Sequence, residues 1–210
     1  MKTIAIFASG GGSNFQVIHE HIKKGKILGK IRLFISNNAH SGAIKYAEGN
    51  NIPSFIFNKF LYPNTIDYNK LLLKKLNENS IDLIVLAGYM KLLPVEIVKA
   101  YHNCILNIHP SLLPKFGGKG YYGIKVHEAV ISSRDRESGV TVHFVDEKYD
   151  HGEIIAQEKV LVMNDDTPEI LAKRVLEVEH RLYPKVVKAF CENRIIWEDN
   201  QPKIEVVIEN

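Results

Sequence analysis

The chain alternates short apolar runs with stretches in which apolar residues return every three or four positions. The run Thr3 to Ala8 stops at Ser9-Gly10-Gly11-Gly12-Ser13-Asn14, after which Phe15, Ile18 and Ile22 keep a helical period. The pattern predicts a buried strand, a glycine turn and a helix. Ile31 to Ser36 reads as a second strand and Gly42 to Glu48 as a second helix. Ser54 to Phe57 is a third strand, and Tyr68, Leu71, Leu72 and Leu76 trace one face of a third helix. Asp82 to Ala87 and Cys104 to His109 are two further strands. Between them Pro94 suits the first turn of a helix over Val95 to Ala100.

Short aliphatic strands that alternate with helices predict an α/β fold with a mainly parallel, doubly wound sheet covered by helices on both faces. Beyond residue 110 the pattern changes. A Gly/Lys/Tyr-rich loop leads to a helix over Ile124 to Ser132. Val140 to Val145 and Gly152 to Val162 then read as antiparallel strands joined by a tight polar turn. Thr167-Pro168 is an N-cap and first-turn pair for a long helix with the stripe Leu171, Val175, Val178, Leu182 and Val186, kinked at Pro184. Ile195 to Trp197 and Ile204 to Ile208 read as weak closing strands.

A length of 210 residues with no linker, repeat or low-complexity segment favours one domain over 1–210. Its halves are a phosphate-binding α/β half, 1–110, and a half for catalysis, 111–210. Apolar residues at 45% and charged residues at 24% exclude wholesale disorder. The net charge is only +3 and the lysines are scattered, which argues against a nucleic-acid partner. No apolar run is long enough for a membrane span, and the run from Ile4 is broken too early for a signal peptide. Two cysteines, Cys104 and Cys191, suit a reducing compartment, so the expected setting is cytoplasmic. The expected partners are small molecules, with the chain acting as a monomer or homodimer.

A glycine turn between strand and helix places backbone N–H groups at the positive end of a helix, which suits a phosphate. The dinucleotide fingerprint fails because Phe15 holds its third glycine position and Asn37-Asn38 stand where a ribose-binding acid would be. A phosphomonoester fits better than a dinucleotide; the bland reading is a turn chosen for packing.

Strand alternation puts Asn107 and His109 on one face, at the strand end that Pro110 closes. An imidazole titrates near neutrality, and an amide N–H₂ is a fixed donor for a developing oxyanion. The turn Asp146-Glu147-Lys148-Tyr149-Asp150-His151-Gly152 holds three acids, any of which could steady such an imidazole. Spacing alone leaves open which one, and a solvated hairpin tip is the bland alternative. No metal is expected: there is no His-Glu-x-x-His and no thiolate near His143 or His151.

Asn107-Ile108-His109-Pro110-Ser111-Leu112-Leu113-Pro114 resembles the signature of the folate-dependent formyltransferase family. Gly139-Val140-Thr141-Val142-His143-Phe144-Val145, leading to Asp150-x-Gly152, resembles that family's second motif. With Ser9 to Asn14 the set resembles the members that serve purine biosynthesis, over about Lys2 to Phe190. The resemblance implies transfer of the formyl group of 10-formyltetrahydrofolate, a cosubstrate, to the amine of glycinamide ribonucleotide. It implies Asn107, His109 and Asp150 as the catalytic trio. It implies Gly11, Gly12, Ser13 and Asn14 as the phosphate cradle, with Glu179 at the glycinamide end. Met90, Lys91, Leu92 and Leu93, together with Asn107, Asp146 and Asp150, would contact the folate. Core packing and a solvated helix face are the plain alternatives for Met90 to Leu93 and for Glu179.

Two departures stand out. The loop Lys115 to Gly123 is longer and richer in glycine than in many relatives, with the composition of a lid. A basic residue often placed near the folate is missing around Asn64-Thr65, where Lys59 is the nearest candidate. A formyltetrahydrofolate deformylase is the nearest rival, but the glycine turn at Ser9 leaves no room for its usual N-terminal domain. A transfer-RNA formyltransferase would carry a further C-terminal domain. A non-catalytic nucleotide-phosphate sensor would leave Asn107, His109 and Asp150 without a task.

Overall fold

The computed structural model describes residues 1–205. They form two compact units, the first ending at Asn107 and the second beginning at Ile108. The first is built from β1 (Lys2–Phe7), α1 (Ser13–Lys23), β2 (Gly29–Ser36), α2 (Gly42–Gly49), β3 (Ser54–Ile56), α3 (Thr65–Glu78), β4 (Leu83–Leu86), α4 (Val95–Ala100) and most of β5 (Ile105–His109). Its strand pairs are all parallel: β1 with β2 and β4, β2 with β3, and β4 with β5. Ile4 to Phe7 and Leu83 to Val85 are fully buried, so these strands carry apolar side chains on both faces rather than alternating.

The chain steps outward from β1 to β2 to β3, then returns to place β4 beside β1 and continues to β5. Right-handed crossovers put α1 and α2 on one face of such a sheet and α3 and α4 on the other. Consistently, α1 packs on α2 and α3 on α4. The direction of winding reverses between β1 and β4, and the carboxyl ends of strands at such a reversal are where open α/β sheets bind ligands.

The second unit contains α5 (Ile124–Ser133), β6 (Glu137–Phe144), β7 (Ile154–Leu161), α6 (Pro168–Cys191), β8 (Ile195–Glu198) and β9 (Gln201–Ile204). β6 and β7 are antiparallel, from Glu137 opposite Leu161 to His143 opposite Ile154. The strand order of the sheet is β3-β2-β1-β4-β5-β6-β7, and β8 and β9 make a separate antiparallel pair. The architecture is therefore α/β and mainly parallel, with antiparallel strands late in the chain. α6 covers β6, β7 and α5 through Leu171, Val175, Val178, Leu182 and Val186. The Thr167 hydroxyl accepts from the Ile170 N–H at its start, and Arg174 holds Asp166 with two hydrogen bonds of 2.6 and 2.8 Å. Trp197 on β8 stacks on Phe144, with ring centroids 5.8 Å apart and planes 8° from parallel. Among the described residues no helix is long and apolar enough to cross a membrane.

Several boundaries differ from the sequence expectation. β6 begins at Glu137 rather than Val140, because Glu137, Ser138 and Gly139 pair with Leu161, Val160 and Lys159 of β7; a Gly139 Cβ would stand 2.5 Å from Leu112 Cδ2. Residues 145–153 form a long connection to β7, not a tight turn. α6 is one long helix with Pro184 inside it, as expected. β9 starts at Gln201, ahead of the expected Ile204, and most of the expected strand, 206–208, lies outside the described residues.

Candidate active site

The glycine turn leaves β1 at the winding reversal and is stitched to the turn after β4. Ser9 N–H donates to the Gly88 carbonyl at 3.0 Å, and the Ser9 hydroxyl accepts from Met90 N–H at 2.9 Å. The same hydroxyl donates to Asn37 Oδ1 at 2.5 Å, so the asparagine standing where a dinucleotide fold has its acid fixes the turn. Gly12 is the N-cap of α1 at φ 76° and has no side chain to cap the first turn. Its conformation excludes ordinary residues, and a Cβ there would stand 2.6 Å from Ala43 Cβ on α2. Gly10 and Gly11 are exposed, and a Cβ on either would meet nothing within 4 Å. The loop therefore has a packed base at Gly12 and an open rim at Gly10 and Gly11, beside a helix N-terminus suited to an anion. Ser13 is half-buried and Asn14 buried at the first turn of α1. Met90, Lys91 and Leu92 are exposed while Leu93 is buried, so the expected folate-facing run splits between surface and core.

Asn107 and His109 lie two residues apart on β5, with Asn107 half-buried and His109 buried. Asp150 brings its Oδ1 to 3.5 Å from His109 Nδ1, and both side chains are shielded, with 5% and 11% exposure. Of the acids in the turn it is Asp150 that faces His109. Asp146 turns instead to His151, with Oδ2 2.5 Å from Nδ1. Asp150 has a left-handed backbone, φ 50°, which turns the chain where the carboxylate meets the imidazole. Glu179 lies half-buried on α6.

Four groups around this pair had no part in the sequence-based trio. The Phe116 carbonyl lies 2.8 Å from His109 Nε2, and Gly118 N–H donates to Asp150 Oδ2 at 2.9 Å. Backbone contacts of this kind leave no residue-type signal. His143 has Nε2 3.9 Å from Asp150 Oδ1, and its Nδ1 donates to the Phe144 carbonyl at 2.6 Å. Because a carbonyl only accepts, Nδ1 carries a proton. Burial holds His143 below its ordinary value. His127 on α5 is also buried, and burial together with the neighbouring His109 pushes it down to about 4. The strand parity that singles out Asn107 and His109 also applies to His143 within its motif, and could have marked it.

A carboxylate beside a buried imidazole, with an amide on the same strand face, is equipped to donate hydrogen bonds to an oxyanion and to move a proton.

The formyl transferase family model matches residues 2–187. The chain is 39% identical to the phosphoribosylglycinamide formyltransferase of Haemophilus influenzae, covering 95% of this chain and 92% of that protein. It is 50% identical to the chloroplastic phosphoribosylglycinamide formyltransferase of Vigna unguiculata, over 97% of this chain and 66% of the plant protein. The crystal structure of glycinamide ribonucleotide transformylase 1 from Symbiobacterium toebii superposes with a TM-score of 0.89 at 34% identity, covering 97% and 94% of the two chains. A formyltetrahydrofolate deformylase from Pseudomonas syringae shares the fold at 25% identity, but only 65% of its chain is covered. The chain belongs to the formyl transferase family.

Proposed function

We propose that this chain transfers the formyl group of 10-formyltetrahydrofolate to the primary amine of glycinamide ribonucleotide, in purine biosynthesis. The observation that carries the reading is the His109–Asp150 pair, 3.5 Å apart at the end of the strand that also holds Asn107. The family match and the names of the full-length bacterial relatives support it.

In this reading the amine nitrogen attacks the formyl carbon and forms a C–N bond, and the carbonyl electrons move onto oxygen. Asn107 Nδ2–H and the protonated His109 ring donate to that oxyanion; one such donor is ordinarily worth about 2.7–4 kcal/mol of barrier. Collapse breaks the bond between the formyl carbon and N10 of the folate. The proton leaves the attacking amine and reaches N10, with Asp150 stabilising the imidazolium in between. Neither a metal nor a covalent enzyme intermediate enters these steps. Ser111, two residues after His109, donates its hydroxyl to the Lys115 carbonyl at 2.6 Å.

The open turn at Gly11, Gly12, Ser13 and Asn14 takes the phosphate of the ribonucleotide, and Glu179 takes the glycinamide end. Met90, Lys91, Leu92, Leu93 and Asp146, with Asn107 and Asp150, contact the folate. Residues 1–210 act as one formyltransferase domain in a reducing, cytoplasmic setting.

The test is release of tetrahydrofolate from 10-formyltetrahydrofolate with and without glycinamide ribonucleotide. Release that depends on the acceptor is the expected result. Release independent of the acceptor would assign a deformylase, and no release would overturn the enzymatic reading.

A further inference from the structure

The segment that follows β5 closes on the two side chains at the centre of the proposed chemistry, and it does so through its backbone. His109 makes two unequal contacts. Nε2 lies 2.8 Å from the Phe116 carbonyl, a tight hydrogen bond, whereas Nδ1 lies 3.5 Å from Asp150 Oδ1. A charge-assisted bond to a carboxylate is ordinarily about 2.7–2.9 Å, so the second contact is slack. The Phe116 oxygen can only accept, so Nε2 carries a proton in every state with this geometry. A neutral ring held this way has its lone pair on Nδ1. Asp150 is pinned in the same manner: its Oδ2 takes the Gly118 N–H at 2.9 Å, which leaves Oδ1 for His109.

The segment is itself firmly held. The Ser111 hydroxyl donates to the Lys115 carbonyl at 2.6 Å, and Leu113 N–H donates to the Thr141 hydroxyl on β6 at 3.1 Å. Gln157 on β7 donates to the Leu113 carbonyl at 3.0 Å, and the Lys115 ammonium meets Asp135 at 2.5 Å. These contacts hold the start of the segment, as far as Lys115.

We propose that the backbone of Phe116 and Gly118 is the positioning element of the site. The Phe116 carbonyl anchors His109 through Nε2–H, the Gly118 N–H anchors Asp150 through Oδ2, and His109 Nδ1 is the nitrogen that exchanges the working proton. This assignment rests on the reading of His109 and Asp150 as catalytic. In the opposite arrangement Asp150 would orient the ring by accepting Nδ1–H in its neutral state. Phe116 would then set a carbonyl oxygen against a bare nitrogen at 2.8 Å, acceptor against acceptor.

Two measurements on the full chain test it. The first is the tautomer of neutral His109, read from ¹⁵N ring shifts assigned with His109→Gln. The expected result is Nε2–H in the native protein and still Nε2–H in Asp150→Asn. An Nδ1–H ring in the native protein, or a switch of tautomer in Asp150→Asn, overturns the proposal. This readout does not depend on turnover. If His109→Phe kept full activity, the catalytic reading would fall while the tautomer result stood.

The second compares Gly118→Ala with Gly120→Ala. Both positions have left-handed backbones, φ 93° and 102°, and a Cβ on either meets nothing within 4 Å, so the strain is matched. Of the two, Gly118 alone donates its N–H to Asp150; alanine keeps that N–H but relaxes away from φ 93°, which turns the donor off Oδ2. Gly118→Ala is expected to lose at least about tenfold more kcat than Gly120→Ala, with KM for both substrates within about twofold of native. Equal losses, or a loss confined to KM, overturn it.

Discussion

Asp150 approaches His109 to 3.5 Å while its other oxygen is held by the Gly118 N–H, so the carboxylate is fixed in place without being locked to the imidazole. That slack suits the proton transfer proposed for this pair, in which the ring changes partners.

Removing either member should therefore affect turnover far more than folding. His109→Phe and Asp150→Asn are each expected to lower kcat by about 10²–10⁴-fold. Asn107→Ala, which deletes the proposed oxyanion donor, should cost about 10²–10³-fold. The double variant of His109 and Asp150 should be little worse than the worse single one, since the two act as a unit. Steady-state kinetics with both substrates saturating is the check, and near-native kcat in either single variant refutes the assignment.

The glycine turn offers a contrast between neighbouring positions. Gly12→Ala meets both the left-handed backbone and Ala43, and should destabilise the fold by about 1–3 kcal/mol. Gly10→Ala enters open space and should change stability by less than about 0.5 kcal/mol. Urea midpoints for the two variants decide the matter.

His127 makes stability depend on acid. Its folded value is about 4 against an ordinary 6.5, so below 6.5 the unfolded chain takes up a proton that the folded one refuses. Its contribution is fully present above about pH 6.5 and is lost as the pH falls toward 4. His127→Asn should remove that portion, so the fall in urea midpoint between pH 7 and pH 4.5 should be smaller in the variant. Burial also lowers His143, His180 and His19, which titrate in the same direction and account for a remaining slope.

Asp166, held by Arg174, should show the behaviour of a carboxylate. The guanidinium keeps its carboxyl below the usual range, so its contribution is present at pH 7 and lost as the pH falls through that lowered value. Asp166→Asn should cost about 1.5 kcal/mol at pH 7. That is the low end for a hydrogen-bonded charge, because Asp166 is 2% exposed but Arg174 is 31% exposed. Thermal unfolding of the variant at pH 7 gives the comparison.

The interior strands were easy to read because both their faces are buried, so β1 and β4 appear as unbroken aliphatic runs. The late strands were harder. Ser138 and Gly139 look like turn residues, yet they lie within β6 because they pair with Val160 and Lys159 of β7. β9 starts earlier than the aliphatic run suggests, with Pro202 inside it opposite Trp197 of β8, and an edge strand tolerates a proline. At the site, period-two alternation and Pro110 picked out Asn107 and His109. The choice of Asp150 over Asp146 needed the left-handed turn at Asp150, and the Phe116 and Gly118 contacts are made by main-chain atoms that any residue would supply.

The stack of Trp197 on Phe144 gives the molecule a built-in optical probe. Trp197 is the only tryptophan in the chain, its indole is part-exposed, and its partner ring sits two positions before Asp146. Ultraviolet emission from this one fluorophore therefore reports on the corner where β6 gives way to the acidic loop, and any ligand that disturbs that corner should register as a change in colour or intensity without a label.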